Sequence, residues 1–233
     1  MAEGLRLVLF GPPGAGKGTQ TRLLSGHLKA QAISTGDIFR SNLEQKTPLG
    51  LRASEYMNQG ILVPDEVTID IVLDKVMSVH SDEGFILDGF PRNPFQAGAL
   101  EQALELRSRP LDLVIFIDVP EEELVKRLGG RLVCRNCQAP YTLAAAGQTE
   151  TPAGERGKEK CGQCGGELYQ RADDTPIAVT KRIEVYHDQA LPVLDFYRAR
   201  GLLAKVDGTG TVQNVYNRVL KEIQRVSKTK DRE

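Results

Sequence analysis

Two sets of residues in this chain stand at spacings that serve particular chemistry. The first, Gly11-Pro-Pro-Gly-Ala-Gly-Lys17, fits G-x-x-x-x-G-K, follows the apolar run Leu5 to Phe10 and precedes a helical pattern. Its glycines let the backbone approach closely enough for N–H groups to wrap phosphates. A helix beginning near Gly16 would add its positive end at the same place, and Lys17 a mobile cation. The residue after Lys17 is Gly18, and the hydroxyl comes one place later, at Thr19. The usual magnesium ligand of a switch-type NTPase is therefore missing from its slot. The second set is Cys134-x2-Cys137 and Cys161-x2-Cys164, with 23 residues between the pairs. Each pair predicts a tight knuckle, and four thiolates make the tetrahedral shell that zinc prefers. With all four positions supplied by protein, the metal would staple a module too small to hold itself together and would do no chemistry. A redox CxxC is the competing reading, weakened by two pairs in one segment.

A third group is more scattered. Arg40, Arg92, Arg127, Arg131, Arg171 and Arg182 fall where strand ends or the hinges of an insertion should lie. Any one alone reads as a solvated surface charge. Arg92, however, closes Asp88-Gly-Phe-Pro-Arg92 directly after a strand pattern, and Arg131 and Arg171 flank an insertion on both sides. A hinged lid could bring both onto a phosphate, as phosphoryl transfer requires. Asp88, at a strand end facing the phosphate loop, suits a magnesium ion's water shell. No Ser-His-Asp or Cys-His arrangement is in view: His27, His80 and His187 each read as helix surface residues.

The elements that must position these groups alternate. Short apolar runs at 5–10, 32–33, 84–89, 111–119 and 202–206 read as strands, and helices are predicted between them. Ser34 to Asp37 offers capping chemistry for one helix. Pro48 opens another that Gly60 stops, and Pro64-Asp65-Glu66 starts a third. This alternation argues for an α/β fold with a central parallel sheet, whose ligands sit beyond the carboxyl ends of the strands. That rule puts Gly11 to Thr19, Ser34 to Arg40, Asp88 to Arg92 and the chain after Val119 along one edge. From Leu132 to about Gln170 the apolar periodicity fades, which marks an inserted module. A long helix resumes at Asp173 with Pro192 inside it, so a kink or early stop is expected there. Val212 to Val226 reads as the last amphipathic helix, and the charged tail from Lys228 is expected to fray.

Composition sets outer bounds. The chain has 233 residues, 40% hydrophobic and 26% charged, with a net charge of −1, so neither nucleic acid nor a membrane is expected as a partner. Met1-Ala2-Glu3-Gly4 runs straight into a strand pattern without a signal peptide's basic start, so a cytoplasmic protein without disulfides is expected.

In order from about Leu5 to Val226, the chain resembles bacterial adenylate kinases of the long form, with a four-cysteine zinc-type lid. The resemblance rests on Gly11 to Thr19, Ile33-Ser-Thr-Gly-Asp37, Asp88-Gly-Phe-Pro-Arg92, Gln96, Gly130-Arg131, Tyr169-Gln-Arg-Ala-Asp-Asp174, Lys181-Arg182 and Val206-Asp-Gly208. The displaced hydroxyl is itself a mark of nucleoside monophosphate kinases, which hold magnesium largely through water. The resemblance implies a P-loop three-layer sandwich and the reaction ATP + AMP ⇌ 2 ADP, with magnesium on ATP, carried out by a monomer. It implies a core of 1–33, 64–131 and 174–233, an AMP-binding region at 34–63 and a lid at 132–173. ATP would be held by Gly14, Ala15, Gly16, Lys17, Gly18 and Thr19, by Arg131, by Pro140 and Tyr141 with the tyrosine ring against Arg131, and by the Gly210 backbone. AMP would be held by Thr35, Arg40, Ile61, Leu62, Val63, Gly89, Phe90, Pro91, Arg92 and Gln96. Arg171 and Arg182 would reach the transferring phosphate from the lid side, while Lys17 and Arg92 would follow its charge. All four metal ligands are cysteine, a set that suits zinc and also admits iron or cobalt. The lid turn reads Ala139-Pro140-Tyr141 where a hydroxyl residue often precedes the tyrosine, leaving Pro140 a backbone contact at most. Two rival readings remain: a UMP/CMP-type kinase, against which the long lid speaks, and a zinc-ribbon binding module that uses ATP as a switch. For the second, basic residues interleaved with aromatics are wanting, since the insertion offers only Tyr141 and Tyr169.

Overall fold

The computed structural model describes residues 4–142 and 160–230. The expectations for the amino terminus at 1–3, for the middle of the insertion at 143–159 and for the last three residues of the tail lie outside the described residues. In chain order, β1 (Arg6–Phe10) leads to α1 (Lys17–Leu28), β2 (Gln31–Ser34), α2 (Thr35–Glu44), α3 (Pro48–Asn58), α4 (Asp65–Ser78), β3 (Phe85–Asp88) and α5 (Pro94–Glu105). Then come β4 (Leu113–Asp118), α6 (Glu121–Gly129) and three short strands, β5 (Arg131–Cys134), β6 (Pro140–Thr142) and β7 (Leu168–Tyr169). The chain closes with α7 (Pro176–Val185), α8 (Leu191–Arg198), β8 (Leu203–Asp207) and α9 (Val212–Lys230). Among the described residues no helix is long and apolar enough to cross a membrane.

The expected parallel sheet is present, in the order β2-β3-β1-β4-β8. Its strands are nearly continuous apolar runs because helices cover both faces. Val8, Phe10, Leu87, Val114 and Phe116 point one way and pack on Val72 and Val76 of α4, Leu100 of α5 and Val193 and Tyr197 of α8. Leu7, Leu9, Ile86, Ile115 and Ile117 point the other way, onto Leu24 of α1, Leu124 of α6 and Val219 and Ile223 of α9. Each such side chain contributes roughly 1.5–3 kcal/mol when fully buried, so the sheet is the rigid part of the molecule. The strand β1 also carries a charge into the interior: Arg6, 3% exposed, meets Asp112 at the amino ends of the strands.

Three expectations change. The helix expected from Asp173 begins with a single 3₁₀ turn, Ala172–Asp174, and α7 starts only at Pro176, where Thr175 Oγ1 accepts from the Ala178 N–H at 3.3 Å. The break expected near Pro192 takes the form of one π turn, Tyr186–Ala190, just upstream. Proline lacks the N–H that would bond the preceding turn, and the wider turn absorbs that loss without ending the helix. His80 is not on a helix: α4 stops at Ser78, Val79 turns extended and buried, and His80 lies exposed beyond it. The insertion, too, is ordered where described. β6, β5 and β7 form an antiparallel sheet, with Leu132, Ala139, Tyr141 and Leu168 packed around the cysteines. Strands of two to four residues are too short to leave a periodic signature.

Candidate active site

The carboxyl ends of the central strands open onto one cleft of about 650 Å³. Its walls join the loop from Pro13 to Thr19, Thr35 and Arg40 of α2, Ile61 to Val63 between α3 and α4, Asp88, Gly89 and Arg92 after β3, and Gln96 of α5. Arg131, Pro140, Tyr141 and Arg171 come from the insertion and its hinges, Arg182 from α7, and Gly210 from the turn after β8. A smaller cavity of about 70 Å³ behind it is lined by Phe90 and Pro91 together with Lys17, Arg92 and Arg182. Every residue expected to meet a nucleotide thus lines one of two adjoining spaces.

The loop's form follows from its glycines. Gly16 takes φ 93°, a left-handed conformation that costs an L side chain strain, and so turns the chain into α1. The first turn of α1 holds no acidic residue, which leaves its N–H groups for an anion. Lys17 folds back over the loop, and its Nζ donates to the carbonyls of Gly11 at 2.8 Å and Pro12 at 3.0 Å. Burial lowers its pKa to about 8; Asp88 opposes that shift, and Arg92, Arg182 and Arg131 reinforce it. Gly18 stands where a Cβ would lie 3.2 Å from Asp88 Oδ2. The missing hydroxyl of the loop and the acid at the end of β3 are therefore two sides of one contact.

Charge is unbalanced here. Lys17 and seven arginines, Arg22, Arg40, Arg92, Arg127, Arg131, Arg171 and Arg182, line the cleft against four carboxylates, Asp37, Asp88, Glu123 and Asp173. Desolvation, with Arg182 next, lowers Arg92 to about 10, and desolvation, with Arg40 and Arg131 next, lowers Arg171 to about 10. Burial pushes the Asp88 carboxyl up, and no cation stands in ion-pair contact with it among the described residues. Burial is the largest single influence on Asp37 and Asp173 and works to raise both, but the surrounding groups together outweigh it, Arg40, Arg171 and Ser34 at the first and Arg182, Arg40, Arg131 and Arg171 at the second, so both sit below the ordinary carboxylate range.

Fixed acids aim several of the cations. Asp174, 1% exposed, accepts from Arg131 Nε at 2.7 Å, from Arg131 Nη2, and from Arg182 Nη1 at 3.1 Å. Arg182 Nη1 also donates to the Asp173 carbonyl at 3.0 Å. Arg40 pairs with Asp37, which lies 3.8 Å from Arg171. On the other wall, Arg92 Nε donates to the Gly89 carbonyl at 2.8 Å, and Thr35 Oγ1 donates to the same oxygen at 3.0 Å. Gly89 has φ 81°, and a Cβ there would lie 2.7 Å from Thr35 Oγ1, so this close approach needs glycine.

Some contacts escaped the sequence. Arg127, placed near a hinge but given no role, lines the cleft and spans Glu123 Oε1 and the Gly208 carbonyl, each at 3.1 Å. Arg22 of α1 donates to the Gln138 carbonyl at 2.6 Å and so ties the phosphate loop's helix to the insertion. The expected stack of Tyr141 on Arg131 does not form. In the β5–β6 ladder Arg131 faces Thr142 and Leu132 faces Tyr141, so the two side chains leave opposite faces of the ribbon. The Tyr141 hydroxyl instead reaches Cys161 Sγ at 3.2 Å.

The four cysteines converge. Their sulfurs lie within 4.8 Å of one another, with Cys134–Cys164 at 3.4 Å and Cys137–Cys161 at 3.5 Å. These distances exceed a disulfide bond of about 2.05 Å and approach the roughly 3.8 Å between sulfurs tetrahedrally bound to a metal at about 2.3 Å. The Gln163 N–H points at Cys161 Sγ from 3.4 Å, the kind of support a ligating thiolate receives. The donor set could hold a metal and leaves it no open position.

A sequence model of the adenylate kinase family matches residues 9–202. An adenylate kinase of Streptomyces coelicolor is 48% identical over 221 residues, 95% of this chain and 99% of that protein. One from Clostridium botulinum is 45% identical over 92% of this chain and 96% of its own length, and one from Caldicellulosiruptor bescii is 45% identical over 94% and 99%.

Proposed function

Since the chain belongs to the adenylate kinase family it is a phosphotransferase, and we propose that its cleft carries out ATP + AMP ⇌ 2 ADP. The observation that supports this most is the excess of cations lining the cleft between a phosphate loop on one side and Gln96 on the other. Two nucleotides meeting end to end would engage the cations of both walls. In this reading Gly14 to Thr19, with Arg131 and the backbones of Pro140 and Gly210, hold ATP, and Tyr141 borders that site. Thr35, Arg40, Ile61 to Val63, Gly89 to Arg92 and Gln96 hold AMP. Residues 34–63 form the AMP-binding region, 132–173 the lid, and 1–33, 64–131 and 174–233 the core.

Phosphoryl transfer needs positioning and charge stabilisation more than covalent help. Lys17 leaves its loop carbonyls for the outer phosphates of ATP, where its charge regains a partner. Arg92 approaches from the AMP side, and Arg131, Arg171 and Arg182 close from the lid side, already aimed by Asp174, Asp173 and Asp37. As charge spreads over the transferring group, these fixed cations meet it without reorganising. Closing the lid excludes water, which would otherwise accept the phosphoryl group. Magnesium carried on ATP would neutralise phosphate charge, and Asp88, buried and without an ion-pair partner, suits its water shell. The four thiols would bind a structural metal, zinc first by donor softness, with iron or cobalt as other fits. A cytoplasmic monomer is the accompanying reading. A coupled assay of ATP against AMP, UMP, CMP and GMP tests the assignment. AMP is expected to be turned over fastest; faster turnover of UMP or CMP would overturn the adenylate reading, and transfer to none would overturn the kinase reading.

A further inference from the structure

Gln96 is 1% exposed, yet it lines the cleft. Its Oε1 accepts from the Arg92 N–H at 2.8 Å, and its Nε2 donates to Asp65 Oδ1 at 2.7 Å. A backbone N–H can only donate and a carboxylate can only accept, so these two partners dictate which end of the amide is oxygen. Asp65 is itself held: Asn93 Nδ2 donates to both of its oxygens at 2.9 Å. Asn93 Oδ1 in turn caps α5 by accepting the Gln96 N–H at 2.9 Å. After these bonds the Gln96 amide keeps one N–H and one lone pair for a ligand.

That remainder matters for a purine. A 6-aminopurine offers a donor on C6 and an acceptor at N1, and a 6-oxopurine offers the reverse. A free glutamine could serve either by turning its amide over. Here a turn would set the carbonyl against Asp65 and the NH₂ against the Arg92 N–H, leaving buried groups unpaired. We propose that Asp65 is a positioning residue for base specificity. It holds the Gln96 amide in the one orientation that pairs with a 6-aminopurine monophosphate and refuses a 6-oxopurine. The proposal rests on the reading of Gln96 as a base-contacting residue of the AMP site.

The test is the ratio of kcat/KM for AMP to that for IMP at saturating ATP, because a partly unfolded sample lowers both alike. In Asp65→Asn the new NH₂ can meet a turned Gln96 carbonyl, and the ratio is expected to fall about tenfold through a higher KM for AMP, with KM for ATP little moved. Should that variant not fold, Asp65→Ser, which keeps a hydroxyl acceptor but no fixed carboxylate, is expected to lower the ratio in the same direction. Gln96→Ala serves as the control. A ratio unchanged in the Asp65 variant but collapsed in Gln96→Ala overturns the positioning role and leaves the AMP-site reading standing. A ratio unchanged in Gln96→Ala overturns the base-contact reading and the proposal with it.

Discussion

At the amino ends of the central strands Arg6 of β1 meets the Asp112 carboxylate, and at their carboxyl ends eight cations share a cleft with four carboxylates. Arg6 is matched: its N–H and Nε reach Asp112 Oδ2 at 2.7 and 3.2 Å, and its Nη2 reaches Oδ1 at 3.2 Å, with both side chains at most 3% exposed. At the other end Lys17 rests on carbonyls, and burial drives it, Arg92 and Arg171 below their ordinary values. The same sheet supports a pair matched within the chain and a cluster whose cations outnumber the carboxylates lining the cleft with them. Removing charge should therefore cost stability at one end and turnover at the other.

The largest expected effect is at the cleft. Arg92→Ala or Arg131→Ala should lower turnover by about 10²–10⁴-fold, the first with the melting temperature of the free protein nearly unchanged and the second with a fall of a few degrees, because buried Asp174 loses one of its two arginines. Steady-state kinetics beside a melting curve decides it, and near-normal turnover would break the comparison. At the opposite end, Asp112→Asn should cost about 3 kcal/mol or more, a fall in melting temperature on the order of 10 °C, because it removes the charge that a buried guanidinium meets through two nitrogens. Turnover at 20 °C should stay within about twofold of the unchanged chain, since the pair is remote from the chemistry. A loss of turnover as large as that of Arg92→Ala would erase the distinction.

The metal-binding set should behave as a third, intermediate case. Chelation, or Cys164→Ser, should lower the melting temperature more than it lowers activity in the cold, because the thiols gather inside the insertion and do not line the cleft. An unchanged melting curve would refute the staple. The smallest effect concerns Lys17. Its pKa of about 8 in the free protein should rise when phosphates bind, so nucleotide affinity is full below pH 8 and declines by up to about tenfold per pH unit above it. Calorimetry near pH 8.5 in buffers of different ionisation enthalpy should register proton uptake on ATP binding; no uptake would show that Lys17 does not meet the phosphates. Folding runs the other way: without nucleotide the unfolded chain holds that proton to higher pH, so Lys17's contribution to stability grows as pH rises from about 8 towards 10.5.

Much of the site was legible because it is written locally. The loop from Gly11 to Lys17, the stretch Asp88 to Arg92 and the two CxxC pairs each need neighbouring residues in fixed register, and such needs survive as motifs. What did not show were partners far apart in the chain. Arg6 and Asp112 lie 106 positions apart, and Arg6 merely interrupted an apolar run. Arg131 and Asp174 are 43 apart, and Asp65 and Gln96 are 31 apart. No periodicity announces that an arginine will find a carboxylate across a hinge. The Tyr141 stack failed for a related reason, since strand register, which decides the face a side chain takes, becomes visible only once the ladder is known.

The contact between Gly18 and Asp88 bears on how the two products leave. Position 18 carries no hydroxyl, and a side chain there would meet the Asp88 carboxylate. In the proposed reaction a divalent ion would be carried by the nucleotide that brings it. One ADP would then depart with the metal and its twin without, so the two halves of the cleft would part with chemically different forms of one molecule. In the reverse direction the protein must tell these forms apart by place, because nothing in the bases distinguishes them.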